Sequence, residues 1–159
     1  MQALFGTDKF DILPHAVALL AAYLLAVPLG WDREKEERSA GLRTFPLVAV
    51  ASCGFIQAAE GMAAGHAEAL SRVIEGVIAG MGFIGGGAIL RREASVQGTA
   101  TAASLWVTGA IGVACGLAAF DVALVLAIAA FATLRLMAPL KNAAGIDGDD
   151  RPRDIKTGS

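Results

Sequence analysis

Charge is scarce in this chain. Only 18% of its 159 residues are Asp, Glu, Lys or Arg, where a soluble domain carries about a quarter. With 55% hydrophobic residues and a mean hydropathy of +0.59, this excludes an ordinary water-soluble fold. A positive surplus is lacking as well: 13 Lys and Arg face 15 Asp and Glu, for a formal net charge of -2. That balance offers no basic surface of the kind nucleic acid requires, so no nucleic-acid partner is expected. Cysteine is limited to Cys53 and Cys115, which lie in separate apolar runs. Neither a disulfide framework nor a CxxC metal site can be read from them, and both are expected to be buried small residues.

What is present is a series of apolar runs divided by charge. A run of about 17 to 25 residues spans the hydrocarbon core as a helix. The runs extend from Ile12 to Trp31, Leu42 to Ala59, Val73 to Leu90, Ala100 to Phe120 and Val122 to Leu140. The reading is therefore an all-α, polytopic helical membrane protein with about five transmembrane helices. Only Asp121 separates the last two runs, which predicts a tight helical hairpin. Pro28 and Pro46 fall inside runs, where membrane helices tolerate proline once neighbours satisfy the freed carbonyl. A cleaved signal peptide would need a basic start and a shorter apolar core. Here Lys9 sits among Asp8 and Asp11, so the first run is expected to be retained. Residues 1–140 form the transmembrane domain. The polar stretch 141–159 cannot bury enough surface to fold and is expected to be a disordered cytoplasmic tail.

Orientation follows from the basic residues of short loops, which stay cytoplasmic. Arg33, Lys35, Arg38, Arg43, Arg91, Arg92, Lys141, Arg151, Arg153 and Lys156 fall on one side, and only Lys9 and Arg72 on the other. The expected topology places the amino terminus outside and the carboxyl terminus in the cytoplasm of a bacterial inner membrane.

In lipid, helices associate by close backbone approach at small residues and by hydrogen bonds between helices. Gly76 with Gly80, Gly82 with Gly86, and Gly112 with Gly116 are the candidate packing pairs, and they predict that the third and fourth runs form the crowded centre. Three successive glycines, Gly85 to Gly87, weaken a helix by about 1 kcal/mol each relative to Ala, so that stretch is either locally unwound or closely approached. Ionisable residues at membrane depth are functional candidates first. Each has a plain alternative: Arg72 pairing Glu75, Arg135 snorkelling to the headgroups, and His15 as an interfacial residue. In the loop Asp32 to Arg38, Arg33 with Glu37 and Glu34 with Arg38 have the i,i+4 spacing of an exposed helix. Asp32, Glu34 and Glu36 could offer oxygens to Mg2+, yet no defined ligand spacing appears. No metal site and no cofactor are expected.

Three stretches resemble the MgtC/SapB family of small bacterial membrane proteins. They are Gly30-Trp31-Asp32-Arg33-Glu34 with Ala40-Gly41-Leu42-Arg43-Thr44, then Gly80-Met81-Gly82-Phe83-Ile84-Gly85-Gly86-Gly87, then Gly98 through Trp106. They occur in the family's order at similar intervals. Asp32 stands where the family usually has Glu, Gly86 where Ala is frequent, and Ala100 where Thr is frequent. Ser71 precedes Arg72 where an Asp-Pro stretch is common. Some members carry a cytoplasmic regulatory domain resembling ACT domains, for which 159 residues are too few. The resemblance implies a regulatory membrane protein tied to magnesium limitation, intracellular survival, or phosphate and ATP homeostasis, acting through other inner-membrane proteins.

The predicted topology gathers these motifs at the cytoplasmic ends of the second, third and fourth spans. Two helices begin there, with free N-H groups and positive dipole ends beside Arg43, Thr44, Thr99 and Thr101. The candidate anion or partner site comprises Asp32, Arg33, Glu34, Arg43, Thr44, Gly85, Gly87, Thr99, Thr101 and Ser104. Capping of helix ends by the threonines is the alternative. Three function classes follow: a regulatory protein contacting membrane lipids and inner-membrane proteins, a small-ion or phosphate transporter built as a homodimer, and an enzyme. The enzyme ranks last, since no nucleophile and base can be paired across opposite membrane faces.

Overall fold

A computed structural model describes residues 12–35, 40–60, 67–92 and 95–143. Five helices appear in these segments: α1 (Ile12–Lys35), α2 (Thr44–Glu60), α3 (Ala67–Gly87), α4 (Thr99–Gly116) and α5 (Phe120–Ala143). Between α3 and α4 lies a short antiparallel hairpin, β1 (Leu90–Arg92) and β2 (Ser95–Gln97), with Arg91 opposite Val96. The fold is helical as expected, and the hairpin is an addition that the apolar pattern did not show. Leu90, counted in the third run, belongs to β1 instead. α1, α4 and α5, and α3 from Glu68, are long and apolar enough to cross a bilayer. α2 has 17 residues and would extend about 25 Å, near the lower limit for a span.

Proline sets one helix start. Pro46 lies in the first turn of α2, where the amide proton it lacks would have had no partner within the helix. The Gly41 carbonyl takes the first amides, from Thr44 at 3.0 Å and Phe45 at 3.2 Å. Pro28 does fall inside α1. The α4–α5 connection falls at residues 117–119 and not at Asp121. Ala118 adopts a left-handed φ of 56°, and the Ala119 amide reaches back to the Ala114 carbonyl at 2.9 Å, a helix-terminating arrangement of the Schellman kind. Asp121 falls in the first turn of α5, where its charge favours the helix dipole, and is not itself the break.

α4 is the central helix and touches the other four, with α2 as its most extensive partner. The reason is backbone proximity. A Cβ on Gly112 would collide with the Ala49 carbonyl oxygen, and one on Gly116 would lie 2.7 Å from Cβ of Ile56. α1 presents a stripe of buried small residues, Ala18, Ala22 and Ala26, followed by Leu29, one per helical turn. Beside a few large buried side chains such as Phe45, Ile56 and Leu105, many large apolar ones point outward: Phe83 is 85% exposed, and Leu13, Leu47 and Val125 are exposed as well. That pattern is the inverse of a soluble bundle and suits lipid.

The glycine expectation divides at this point. Gly112 and Gly116 lie against α2, whereas Gly76, Gly80, Gly82 and Gly86 meet nothing within 4 Å. Within the described chain α3 is therefore not crowded. Gly109, against the Met81 side chain, and Gly85, 3.3 Å from the Ala102 carbonyl oxygen at its Cβ position, provide the α3–α4 contact. The run Gly85 to Gly87 remains helical and is closely approached at Gly85 alone.

Thermal unfolding of the purified protein in detergent will distinguish the two glycine classes. Gly112→Ala is expected to cost about 1 to 3 kcal/mol, because the added methyl meets backbone that cannot give way. Gly76→Ala is expected to be neutral or to gain up to about 1 kcal/mol from helix propensity.

Candidate functional site

The end of the bundle where α1 stops and α2 starts holds the most ordered polar structure among the described residues. Asp32 is 6% exposed and Arg33 3% exposed, although they sit at the polar end of an apolar helix. Neighbouring residues on a helix do not face each other, but the long arginine stem folds back, and Arg33 Nη2 meets Asp32 Oδ2 at 2.7 Å. The other carboxylate oxygen, Oδ1, forms an ion pair with Arg135 Nε of α5 at 3.0 Å. One carboxylate thus joins two guanidiniums and ties the first helix to the last. Arg135 does not simply snorkel, as expected: its side chain is 55% exposed, lies 5.7 Å from the Phe131 ring, and spends its Nε on Asp32.

Glu34 completes a clasp between the two halves of the first motif. Its Oε2 accepts the Leu42 amide at 3.1 Å and lies where a Cβ on Gly41 would be. The Cβ position of Gly30 is 3.1 Å from the Gly41 carbonyl oxygen. Gly30 thus faces the backbone of the turn into α2, while Gly41 leaves the space that the Glu34 carboxylate occupies. Beside this clasp Lys35 Nζ sits 5.4 Å above the Trp31 ring.

The remaining candidate residues separate into distinct places. Arg43 and Thr44 line a groove between α2 and α3. Thr101 and Ser104 are buried in the bundle. The Ser104 hydroxyl donates to the Thr101 carbonyl at 2.9 Å, and Thr108 donates to the Ser104 carbonyl at 2.8 Å. Hydroxyls bonded back to their own helix are satisfied and are not aimed at a ligand. Thr99 is exposed in the first turn of α4. The capping role weighed for the threonines falls to Gly98, whose φ is 87° and which caps α4 with no side-chain bond. A Cβ there would strike the Ala88 carbonyl oxygen. Gly87, like Gly86, faces open space.

One expectation about charge changes. Arg72 pairs with Glu68 at 3.0 Å, one turn away, and not with Glu75. His15 is exposed, and its carbonyl accepts from Gln57 Nε2 at 3.2 Å, tying the far ends of α1 and α2. The pairs involving Glu37 and Arg38, and the oxygens of Glu36, lie outside the described residues. Among the described residues no group of three His, Cys, Asp or Glu side chains is placed to hold a metal ion.

The MgtC family model matches residues 19–143, from the middle of α1 to the end of α5. The chain is 38% identical over 117 residues to the protein MgtC of Salmonella typhimurium, covering 74% of this chain and 49% of that protein. It is 41% identical over 121 residues to the protein SrpB of Synechococcus elongatus, covering 67% and 66%. To the protein MgtC of Brucella abortus it is 37% identical over 129 residues, covering 80% and 53%. The chain thus spans between half and two thirds of the length of these relatives. No solved structure matches it.

The carboxylate shared by two arginines sets a measurable order of costs. Asp32→Ala is expected to destabilise the detergent-purified protein by about 3 to 5 kcal/mol, since it strips a counter-charge from a buried guanidinium. Arg135→Ala is expected to cost about 1 kcal/mol, because that side chain is half in solvent. Equal losses in thermal unfolding would show that burial does not govern this cluster.

Proposed function

Because the chain belongs to the MgtC family, we propose that it is a small regulatory protein of the bacterial inner membrane that acts by pairing its helices with those of other membrane proteins. The observation that carries this reading is the open outer face of α3. Gly82 and Gly86, one turn apart, meet nothing within 4 Å and share a face with exposed Glu75 and Ile78. A small-xxx-small pair without a partner helix is a surface on which another membrane helix can approach closely. Glu75 places a polar group on the same face.

Five spans, with α2 the shortest, and an amino terminus outside complete the reading. Arg33, Lys35 and Arg43 cluster where α1 ends and α2 starts, and Arg72 stands near the opposite end of α3, which supports the clasp end as the cytoplasmic one. The regulatory role is linked to magnesium limitation or to phosphate and ATP homeostasis, as the resemblance implies.

Pull-down of the full chain from its native membrane, with and without Mg2+ limitation, tests this role. A membrane protein whose recovery rises under limitation and falls at least tenfold with Gly82→Leu and Gly86→Leu is the expected result. Protein-dependent flux of Mg2+ or phosphate in proteoliposomes would replace the regulatory reading with a transporter, for which a homodimer would supply the pathway. A carboxyl-terminal green fluorescent protein fusion is expected to fluoresce, because the fluorophore matures in the cytoplasm. A dark fusion at normal protein levels would overturn the orientation.

A further inference from the structure

The groove between α2 and α3 has a volume of about 640 Å3 and stands apart from the Gly82–Gly86 face. Its walls are apolar, with Leu47, Val48 and Phe55 from α2 and Val77, Met81 and Ile84 from α3. Gly76 and Gly80 line it from α3, and their missing side chains keep that wall open. Arg43 and Thr44 stand at one end, and Ser52 is the other polar residue of the lining. Arg43 is exposed, and among the described residues no carboxylate pairs with it.

We propose that this groove holds an acyl chain of an anionic phospholipid, with the lipid phosphate against Arg43 and the Thr44 hydroxyl. Three observations select that occupant. First, the charge is complementary: a single cation stands at the mouth of a mostly apolar channel. Second, the length fits one leaflet. From Arg43 to Phe55, α2 rises about 18 Å, a little more than half of the hydrocarbon thickness of about 30 Å. A chain anchored at Arg43 fills the groove to its end, whereas a membrane helix would run well past it. Third, Arg43 is at headgroup depth. Half-exposed Trp31, with Lys35 over its ring, lies at the same end of the bundle, and such amphipathic pairs mark the membrane interface. A second copy inserted in the same orientation would bring another Arg43 to the same level, like charge against like. The site stands whichever leaflet this end faces.

Thermal unfolding of the full chain in detergent, titrated with dioleoyl phosphatidylglycerol or dioleoyl phosphatidylcholine, tests the proposal. Phosphatidylglycerol is expected to raise the melting temperature at concentrations at least tenfold lower than phosphatidylcholine does. Arg43→Gln is expected to bring the two lipids to the same concentration. Gly80→Leu, which projects a side chain into the groove, is expected to abolish the response to both lipids while the lipid-free melting temperature stays within a few degrees. Inorganic phosphate alone is expected to produce no shift. Equal response to the two lipids, retention of the preference by Arg43→Gln, or a full shift with phosphate alone would each overturn the lipid site. So would a Gly80→Leu variant that loses a dimer in size-exclusion chromatography and still responds to lipid, since the groove would then belong to a second copy.

Discussion

Helix α4 can sit at the centre only because two glycines let its backbone meet that of α2. Gly112 lies against the Ala49 carbonyl and Gly116 against Ile56 and the Cys53 carbonyl. In lipid there is no hydrophobic drive to hold two apolar helices together, so the dispersion contacts that follow from this approach have to suffice. The rest of the arrangement follows from it. With α4 close to α2, Thr101, Ser104 and Thr108 are carried into the interior, where Ser104 and Thr108 turn their hydroxyls onto their own helix. α1 can then lay its alanine stripe on the pair, and Cys53 and Cys115 become packing atoms inside the bundle.

The polar end of the bundle is built on a different logic. There, an ion pair, a hydrogen bond and a close approach hold the chain: Asp32 to Arg135, Glu34 to the Leu42 amide, and Gly30 against the Gly41 carbonyl. Close packing defines the middle of the bundle and charge pairing defines one end. The two are coupled through α1, which carries the alanine stripe and the Asp32–Arg33 pair on one continuous helix. α3 takes part in neither to the same degree. Its faces remain open, and both the proposed partner surface and the proposed lipid groove lie on it.

Much of this was legible in the residues. Apolar runs cut by charge translate into helices because length and hydropathy dominate in lipid, and the family motifs fall at one end because alternate helices reverse direction. What the pattern could not show was which glycines touch something. Gly76 and Gly112 have the same spacing signature, and only the three-dimensional partner, open space or the Ala49 carbonyl, separates them. Arg135 was misread for a related reason. It lies near a helix end, so snorkelling explained it locally, while its carboxylate is over a hundred positions away in the sequence. The signal that would have found it is the buried charge itself: an Asp at the end of an apolar helix requires a cation, and α5 has Arg135 at the matching depth. The hairpin after α3 was hidden because Leu90 prolongs an apolar run that the helix does not follow.

The Asp32–Arg135 bond also has a meaning in time. A membrane protein emerges helix by helix, and Asp32 enters with α1 while Arg135 belongs to α5, which is made later. Until α5 arrives, the Asp32 carboxylate has Arg33 on one oxygen and nothing from α5 on the other. The second guanidinium therefore reaches the acid only once α5 is in place. A chain that stalls before α5, or threads α5 in the wrong direction, leaves that acid with one guanidinium in place of two.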